Sequence, residues 1–397
     1  MLRILLAWEL GGALGHLASL RPLAKAFCQR GCEVFLAARD LSQVRRVFAG
    51  LPVVPLQSPW NSRRLQPIDP VVTYADLLLN VGFAELDSLA CHVQAWRVLY
   101  RALQPQLLVC DHSPTALLAA RGQGFPVATA GTGFFVPVDE SPLRFLREAS
   151  DELRPQVAKH EALLLDVLNR IVRASGCQLL DRATQLYHDA SIHHFLLTFP
   201  ELDHFGPRTG AKYWGTWPFG VEGTSFVRSN SVPNIFAYLK PFPALADVLA
   251  DLSTAPCNTI AYVDSLKESE RVKWQSDRLQ LLRTPINITR AAEACDLAIT
   301  NATHGTCIAM LLHGKPLVHV PHFLEQALFA AATERIGVSV TAQPHETFGT
   351  RNAILRVVGD PSYTAAANIF RDRYKTHDFE TAADEIVNEM ARLVTAH

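Results

Sequence analysis

A polar segment in the second half of the chain has the residue types of an anion-binding site. It runs from Asn301 to Thr306 with the sequence NATHGT, between a predicted apolar strand at 296–300 and a predicted short helix at 306–312. The first N–H groups of a helix lack internal partners and carry a partial positive charge, and Gly305 lets the backbone approach a ligand closely. Because ligands of open α/β sheets bind at the carboxyl ends of the strands, the segment predicts a diphosphate site.

The elements that must position such a site alternate between strand and helix patterns, which predicts parallel sheets covered by helices. In the first half, strands are predicted at 4–8, 33–38, 53–56, 107–110, 127–130 and 192–198, and helices at 16–29, 42–49, 84–103, 114–121 and 154–174. In the second half, strands are predicted at 234–239, 259–263, 297–300 and 317–320, and a last helix at 383–394. The fold class is therefore α/β, with two doubly wound parallel-sheet domains.

The length of 397 residues exceeds what a single core usually supports, so two domains are expected. We predict a first domain at 1–220, a linker at 221–233, a second domain at 234–375, and a C-terminal helix at 376–397 that returns to the first domain.

Composition excludes several classes of protein. A net charge of −1 with no long basic run argues against nucleic acid as a partner. The eight cysteines form no C-x-x-C pair, so neither a zinc knuckle nor a disulfide scaffold is indicated, and a reducing cytoplasm fits best. No segment offers about 18 uninterrupted apolar residues, so no membrane span is expected. Oligomeric state is left open.

Two sets of motifs resemble those of nucleotide-sugar glycosyltransferases, the family of the bacterial macrolide glycosyltransferases and the UDP-glucosyl- and glucuronosyltransferases. The first set is Gly15-His16-Leu17, the run RPLA at 21–24 and the run GCEV at 31–34; the second spans 294–340. The resemblance implies the GT-B fold, two Rossmann-like domains facing across a cleft. It also implies that the first domain binds the acceptor, that the second binds the donor, and that transfer is inverting and metal-independent.

The resemblance assigns catalytic roles to two residues of the first domain. His16, after the first strand and its glycine-rich turn, matches the family's base, which takes the proton of the attacking acceptor. Asp111, at the end of the strand at 107–110, would orient His16 and stabilise it when protonated. Two structural alternatives stay open: His16 as a residue that only caps its own helix, and Asp111 as the N-cap of the helix that begins at Pro114.

In the second domain the resemblance implies contacts to the nucleotide sugar. Backbone amides from Thr303 to Thr306 and the Thr306 hydroxyl would bind the diphosphate. Many relatives have histidine where this chain has Asn301, whereas His304 matches a second histidine of bacterial members; which of the two contacts the diphosphate is left open. Lys240 is the candidate for a further phosphate contact. The Pro285-Ile286 segment would bind the nucleobase, and the Glu325-Gln326 pair would bind the sugar. The structural alternatives are that Lys240 is only a surface lysine and that Glu325-Gln326 only begins a helix.

Aromatic residues after the first-domain strands suggest a flat or apolar acceptor, unless they only pack the lid of the domain. They are Trp60, Tyr74, Phe83, Phe134, Phe135 and Phe145. No Asp-x-Asp occurs in the sequence, and the histidines have no tight ligand spacing, so no metal is expected. We expect no cofactor, the nucleotide sugar being a co-substrate.

The sequence leaves rival functions in the same fold class. A nicotinamide-dependent oxidoreductase is suggested by Gly11, Gly12 and Gly15 after the first strand and by Asp40 after the second, but the G-x-G-x-x-G fingerprint is incomplete. A sugar-nucleotide epimerase or a non-catalytic nucleotide-sugar-binding protein would share the layout. Fold alone does not separate these functions.

Overall fold

The computed structural model describes residues 1–12, 14–60, 67–148, 150–217, 229 and 231–396. The chain divides into two compact units. Unit 1 comprises Met1–Phe199, Arg208–Gly215 and Phe379–His397, and unit 2 comprises Pro200–Pro207 and Thr216–Asp378. The predicted first domain ran unbroken to residue 220, whereas the structure groups Pro200–Pro207 with unit 2. Most of the predicted linker, 221–228 and 230, lies outside the described residues.

Unit 1 is built on a six-stranded parallel sheet with the order β3-β2-β1-β4-β5-β6. The change of direction between β1 and β4 is the switch point at which doubly wound sheets bind ligands. The elements of this unit are β1 (Arg3–Trp8), α1 (Gly15–Gln29), β2 (Glu33–Ala38), α2 (Val44–Val47), β3 (Val53–Gln57), α3 (Tyr74–Leu78), α4 (Leu86–Leu103), β4 (Leu107–Asp111), α5 (Pro114–Ala120), β5 (Val127–Gly131), α6 (Arg154–Ala174) and β6 (Ile192–Leu196).

Unit 2 repeats the architecture with the strand order β12-β11-β10-β7-β8-β9, again all parallel. Its elements are β7 (Asn234–Leu239), α7 (Leu245–Thr254), β8 (Asn258–Val263), α8 (Glu268–Trp274), β9 (Leu279–Leu282), α9 (Ile288–Ala294), β10 (Leu297–Thr300), α10 (His304–Leu311), β11 (Leu317–His319), α11 (Leu324–Arg335), β12 (Ser339–Thr341), α12 (Gly349–Gly359) and α13 (Pro361–Tyr374). The α/β fold class predicted from the sequence is confirmed.

The last helix, α14 (Phe379–Ala396), packs against α1 in unit 1, as the sequence predicted. Arg30 at the end of α1 donates to the Asp384 carboxylate at 2.7 Å and to the Asn388 side chain at 3.0 Å. Lys212 contacts Glu389 at 2.5 Å from the other side. The apolar face of α14, including fully buried Ile386, Val387 and Met390, supplies the larger part of the stabilisation, because exposed ion pairs contribute little.

Inner strands are buried on both faces, which explains why they appear in the sequence as short continuous apolar runs. Every residue of β4 is buried, and so is every residue of β10. None of the helices in the part of the chain that the structure describes is both long and apolar enough to cross a membrane.

A buried histidine in unit 2 predicts acid sensitivity. His319, fully buried at the end of β11, is within 3.2 Å of the Thr300 hydroxyl and 2.9 Å of the Thr333 hydroxyl. Burial lowers its pKa to about 3. Because the folded state then binds its proton more weakly than the unfolded state does, stability is fully present above about pH 6.5 and is lost as the pH falls towards 3.

We therefore expect the unfolding free energy of unit 2 to fall by about 2 kcal/mol between pH 7.5 and pH 5 on account of His319 alone. Urea unfolding at the two pH values measures it, with His319→Gln as the comparison. The variant should be less stable at pH 7.5 but show a shallower pH dependence. An equal pH dependence in both proteins would contradict this assignment.

Candidate active site

The structure brings His16 and Asp111 together at the carboxyl edge of the unit 1 sheet. Strand β1 pairs with β4 so that Trp8 lies opposite Asp111, and the turn after Trp8 leads into α1, whose second residue is His16. His16 Nδ1 lies 3.2 Å from Asp111 Oδ2. The two side chains are 8% and 1% exposed. A buried carboxylate beside an imidazole holds the ring orientation and stabilises the ring when it is protonated.

The pKa of the buried Asp111 carboxyl is raised, although its neighbour His16 favours the charged form. Burial raises the pKa of the carboxyl, while the charge and hydrogen bond of His16 act in the opposite direction. The other oxygen, Oδ1, is buried and has no hydrogen-bond partner among the described residues. The His16–Asp111 contact is therefore the interaction that holds this carboxylate.

Both structural alternatives for these residues are excluded by the geometry. The N-cap position of α5 is occupied by Ser113 and not by Asp111. The buried Glu9 carboxylate accepts hydrogen bonds from the Thr115 and Ala116 amides at 3.0 and 3.3 Å, so Glu9 caps the first turn of α5. Burial raises the pKa of Glu9 to about 7. His16 makes no cap to its own helix, because α1 has no side-chain cap.

Gly11 leaves the room that the second nitrogen of His16 occupies. Its backbone has a φ of +84°, and a Cβ built at this position would lie 2.3 Å from His16 Nε2. Any side chain here would collide with the imidazole. Nδ1 faces Asp111, so Nε2 is the nitrogen left to accept a proton from a substrate.

Aromatic rings surround His16, and the predicted acceptor residues divide into two groups. Phe135 is tilted against the His16 ring at 5.0 Å between centroids, and Trp8 stacks on His16 at 5.1 Å. Phe134 contacts both Phe135 and Tyr74. These rings form a buried aromatic cluster beside His16.

The other three predicted acceptor residues have different surroundings. Trp60 stacks under the Arg39 guanidinium at 4.1 Å, and Arg39 also donates to the Gly11 carbonyl, so this pair lies on the turn after β1. Phe145 packs against Arg154 at 5.2 Å. Phe83 is 1% exposed. Tyr74 is almost as buried, at 2%, so burial favours the packing alternative for both rings.

In unit 2 the helix that follows the predicted anion cradle begins two residues earlier than predicted. Helix α10 starts at His304, and Thr303 occupies the N-cap position, so the first-turn amides are those of His304, Gly305 and Thr306. Ala302, just before the helix, has a φ of +56°. A left-handed alanine is strained, which is common at ligand-binding turns. The Thr303 hydroxyl is buried and has no hydrogen-bond partner in the described part of the chain.

Asn301 does not serve the role that the sequence suggested. Its Oδ1 accepts from the Lys240 amide at 2.7 Å and its Nδ2 donates to the Val320 carbonyl at 2.9 Å. The side chain is 2% exposed. Both polar atoms are thus used to tie the ends of β7 and β11 to β10, and the expectation that Asn301 donates to a diphosphate is corrected.

His304 lies at the cradle but carries no charge at neutral pH. Its half-buried ring packs edge-on to Phe329 at 5.2 Å and stacks with His204 at 6.0 Å. Burial, reinforced by His204, lowers its pKa to about 3. A diphosphate here would therefore be held by backbone amides and neutral hydrogen-bond donors, without an imidazolium.

The remaining predicted donor contacts lie at the same edge of the unit 2 sheet. Burial lowers the pKa of Lys240, whereas the nearby carboxylates of Glu325 and Asp264 raise it, so Lys240 faces acids as well as the cradle. Gln326 Oε1 accepts from the His322 and Phe323 amides at 2.7 and 3.2 Å. The Gln326 oxygen therefore caps the start of α11, as the structural alternative expects. Its amide N–H groups remain for a ligand.

Pro285 and Ile286 follow β9, and the Ile286 side chain is 2% exposed. Only the backbone of this segment can face a nucleobase, which is the kind of contact that the resemblance implies. The described residues contain no group of three or more His, Cys, Asp or Glu side chains placed to hold a metal ion.

Three residues at the unit 1 edge were missed by the sequence analysis: Glu9, Gly11 in its steric role, and His112. His112 follows Asp111 directly and is buried with a φ of +47°. The available signal was the run Cys-Asp-His-Ser at the end of a strand, where two residues able to do chemistry stand together.

The sequence has a partial relative among curated proteins. No protein-family model matches the chain. One curated protein, the UDP-sugar-dependent glycosyltransferase 52 of Dictyostelium discoideum, is 28% identical over 123 residues, which is 30% of this chain but only 7% of that protein.

Solved structures match over nearly the whole chain. Glycosyltransferase VinC in complex with dTDP is 18% identical, with full coverage of both chains and a TM-score of 0.69. SsfS6, a glycosyltransferase of a Streptomyces species complexed with thymidine diphosphate, is 19% identical over 99% of this chain and 100% of its own, with a TM-score of 0.66. Spinosyn rhamnosyltransferase SpnG is 16% identical over 98% and 100%, also with a TM-score of 0.66.

At these identities the likeness establishes the fold. The chain has the two-unit α/β architecture of the GT-B glycosyltransferases, and the resemblance seen in its motifs is confirmed at that level.

Two residues of the cradle, Asn301 and Thr303, give different predictions for stability. Asn301→Ala leaves the buried Lys240 amide and Val320 carbonyl without partners, so we expect a loss of about 2–4 kcal/mol in the unfolding free energy of unit 2. Thr303→Val removes a hydroxyl that has no partner and should change that free energy by less than about 0.5 kcal/mol. Urea unfolding compares the two, and a larger loss for Thr303→Val would reverse our assignment of structural and ligand-facing roles.

Proposed function

We propose that the protein is an inverting, metal-independent glycosyltransferase. It moves a sugar from a nucleoside diphosphate donor, of the UDP or dTDP type, to a hydroxyl or other nucleophile of a small or lipid-like acceptor. The observation that carries the proposal is the buried His16–Asp111 pair, with Gly11 leaving room for His16 Nε2. The thymidine diphosphate held by VinC and SsfS6, and the UDP-sugar dependence of the curated relative, support the donor class.

The chemistry assigns one task to each residue. His16 Nε2 takes the proton of the acceptor hydroxyl while its oxygen forms a bond to the anomeric carbon of the donor. Asp111 stabilises the imidazolium that results. The bond from the anomeric carbon to the diphosphate oxygen breaks, and the departing electron pair stays on the diphosphate. A single displacement from the opposite face inverts the configuration at that carbon.

The leaving group is stabilised without a metal ligand set of the Asp-x-Asp type. The amides at the start of α10 point towards the developing negative charge, and the Thr303 and Thr306 hydroxyls add two donors. In this proposal Glu325 and the amide of Gln326 bind the hydroxyls of the sugar. Nucleic acid is not among the proposed partners, and a cytoplasmic location stays a prediction from the cysteine content.

The oxidoreductase alternative has less support from the geometry. Asp40, the residue that would bind a ribose, accepts a hydrogen bond from the Ser42 amide at 2.8 Å in an exposed turn. A thermal-shift panel of UDP-, dTDP- and GDP-sugars against NAD and NADP tests the class of ligand. Stabilisation by a nicotinamide cofactor alone would overturn the proposal.

Removing the base should abolish transfer and spare donor binding. With the sugar nucleotide that stabilises the protein and a panel of phenols and alcohols as acceptors, mass spectrometry detects the sugar added to each product. We expect His16→Ala to reduce turnover about 100-fold or more, with the affinity for the nucleoside diphosphate unchanged. Asp111→Asn keeps the shape of the pair without its charge and should also be slow. Unchanged turnover in His16→Ala would remove it from the base role.

Gly11 offers a steric test with a matched control next to it. Gly11→Ala places a methyl group against His16 Nε2, so we expect turnover to fall at least tenfold while donor affinity is kept. Gly12→Ala meets nothing within 4 Å and should leave turnover within about twofold. Circular dichroism checks that both variants are folded. Equal turnover of the two alanine variants would show that access to Nε2 does not depend on residue 11.

A further inference from the structure

His112 is a buried histidine that no structural interaction explains. Its side chain is 8% exposed, and neither ring nitrogen has a hydrogen-bond partner among the described residues. A buried polar group without a partner costs about 1–3 kcal/mol, and native proteins keep few of them. The backbone adds a further cost, because a φ of +47° is uncommon for residues other than glycine. Such costs concentrate where a ligand binds.

The unsatisfied atoms at this place form a set. Asp111 Oδ1 and Thr132 Oγ1 are also buried without partners in the described ranges. Asp111 ends β4 and Thr132 follows β5, the neighbouring strand. The His112 ring lies 6.2 Å from the His16 ring, centroid to centroid. These unpaired polar atoms therefore lie at the ends of neighbouring strands, at the edge of the sheet that holds the proposed base.

Aromatic rings fix the orientation of His112. Phe135 stacks on its face with 4.4 Å between centroids and 18° between planes, and Phe134 meets it edge-on at 6.2 Å. Phe135 also contacts His16. The two histidines thus share an aromatic wall, which favours a flat apolar body in the occupant, while their nitrogens require polar atoms on it.

The protonation state of His112 restricts the group it can bind. Burial, together with the nearby His16 and Arg39, holds the pKa of His112 well below its usual range. The ring is therefore neutral at pH 7, with one N–H donor and one nitrogen acceptor. A hydroxyl or carbonyl oxygen matches such a ring, and a carboxylate gains no ion pair from it.

We propose that His112 is a specificity-determining residue that hydrogen-bonds a second oxygen of the acceptor, beside the hydroxyl presented to His16. The acceptor class is a planar aromatic compound that carries two neighbouring oxygen functions on one edge. This inference rests on the proposed function, because it takes unit 1 as the acceptor-binding unit. His112 is not a second base: it lacks the carboxylate partner that His16 has.

Two probes that differ by one oxygen test the proposal without any donor present. Quenching of tryptophan fluorescence measures the binding of 2,3-dihydroxynaphthalene and 2-naphthol to the full chain. We expect the wild type to bind the dihydroxy probe roughly tenfold more tightly, because 2-naphthol leaves a buried nitrogen unpaired. His112→Phe should bind both probes with equal affinity. Phe134→Leu, the control, should weaken both by the same factor.

Further variants keep the test decisive. If the His112→Phe variant does not fold, His112→Gly replaces it in the test, because glycine accepts the positive φ of this position. His112→Asn and His112→Gln place an amide near the positions of Nδ1 and Nε2, and the one that keeps the preference identifies the nitrogen that binds. A wild type that binds both probes equally, a wild type that binds neither, or a His112→Phe variant that keeps the preference would each overturn the proposal.

The proposed function fails by a different measurement. It falls if no sugar nucleotide binds or no sugar is transferred, and those outcomes leave the preference between the two probes unaffected. Binding of dTDP to each variant, measured in the same preparations, shows that unit 2 is intact while the probe affinities change.

Discussion

The pairing of β1 with β4 determines where the chemistry of unit 1 can take place. Trp8 lies opposite Asp111, and the ladder continues past the strand ends, where the Leu10 amide donates to the His112 carbonyl at 3.0 Å. The glycine turn after β1 is thereby tied to the end of β4. His16 consequently reaches a carboxylate that is 95 residues away in sequence. Both strands are buried on two faces, so a slip in register would place polar residues in the core. The core therefore fixes the geometry of the His16–Asp111 pair.

Hydrogen-bond satisfaction separates structural residues from ligand-facing ones at both edges. Asn301 and His319 are buried with both of their polar groups engaged, and each joins neighbouring elements of unit 2. Thr303, which is partly buried, and His112, which is buried, keep polar atoms without partners among the described residues. Residue type does not distinguish these cases, since a histidine occurs in each group. Only the partners do, and those follow from the three-dimensional arrangement.

The sequence predicted the inner strands well and the outer ones less well. The strands at 33–38, 234–239 and 297–300 have the predicted bounds, because they are continuous apolar runs bounded by polar turns. The missed strands, Leu279–Leu282 and Ser339–Thr341, are the two edges of the unit 2 sheet. Edge strands of three or four residues carry too little pattern to be recognised. Helix α2 is shorter than predicted, at Val44–Val47.

For the candidate site, the sequence identified the residue types but not their partners. His16 and Asp111 could be paired because each follows a predicted strand of one sheet, and carboxyl ends of parallel strands share an edge. Asn301 was misjudged because its position in the cradle motif says nothing about the backbone groups of β7 and β11 that it binds. For Phe83 and Tyr74 the sequence could not decide between packing and lining a pocket, because an aromatic residue after a strand fits both. In each case the answer depends on contacts between segments distant in sequence.

Two histidines at one edge, in opposite surroundings, divide the work of recognition and proton transfer. His16 has a buried carboxylate on one nitrogen and a glycine beside the other. His112 has no acid partner among the described residues, and Arg39 is near enough to disfavour its charged form. A site keeps one titratable group as a base and its neighbour neutral when their environments shift the two pKa values in different ways. If both rings carried carboxylates, each would compete for the same hydroxyl proton, and the acceptor would have no fixed orientation. The asymmetry of the partners is thus what allows two identical side chains to select one hydroxyl for reaction and hold the other.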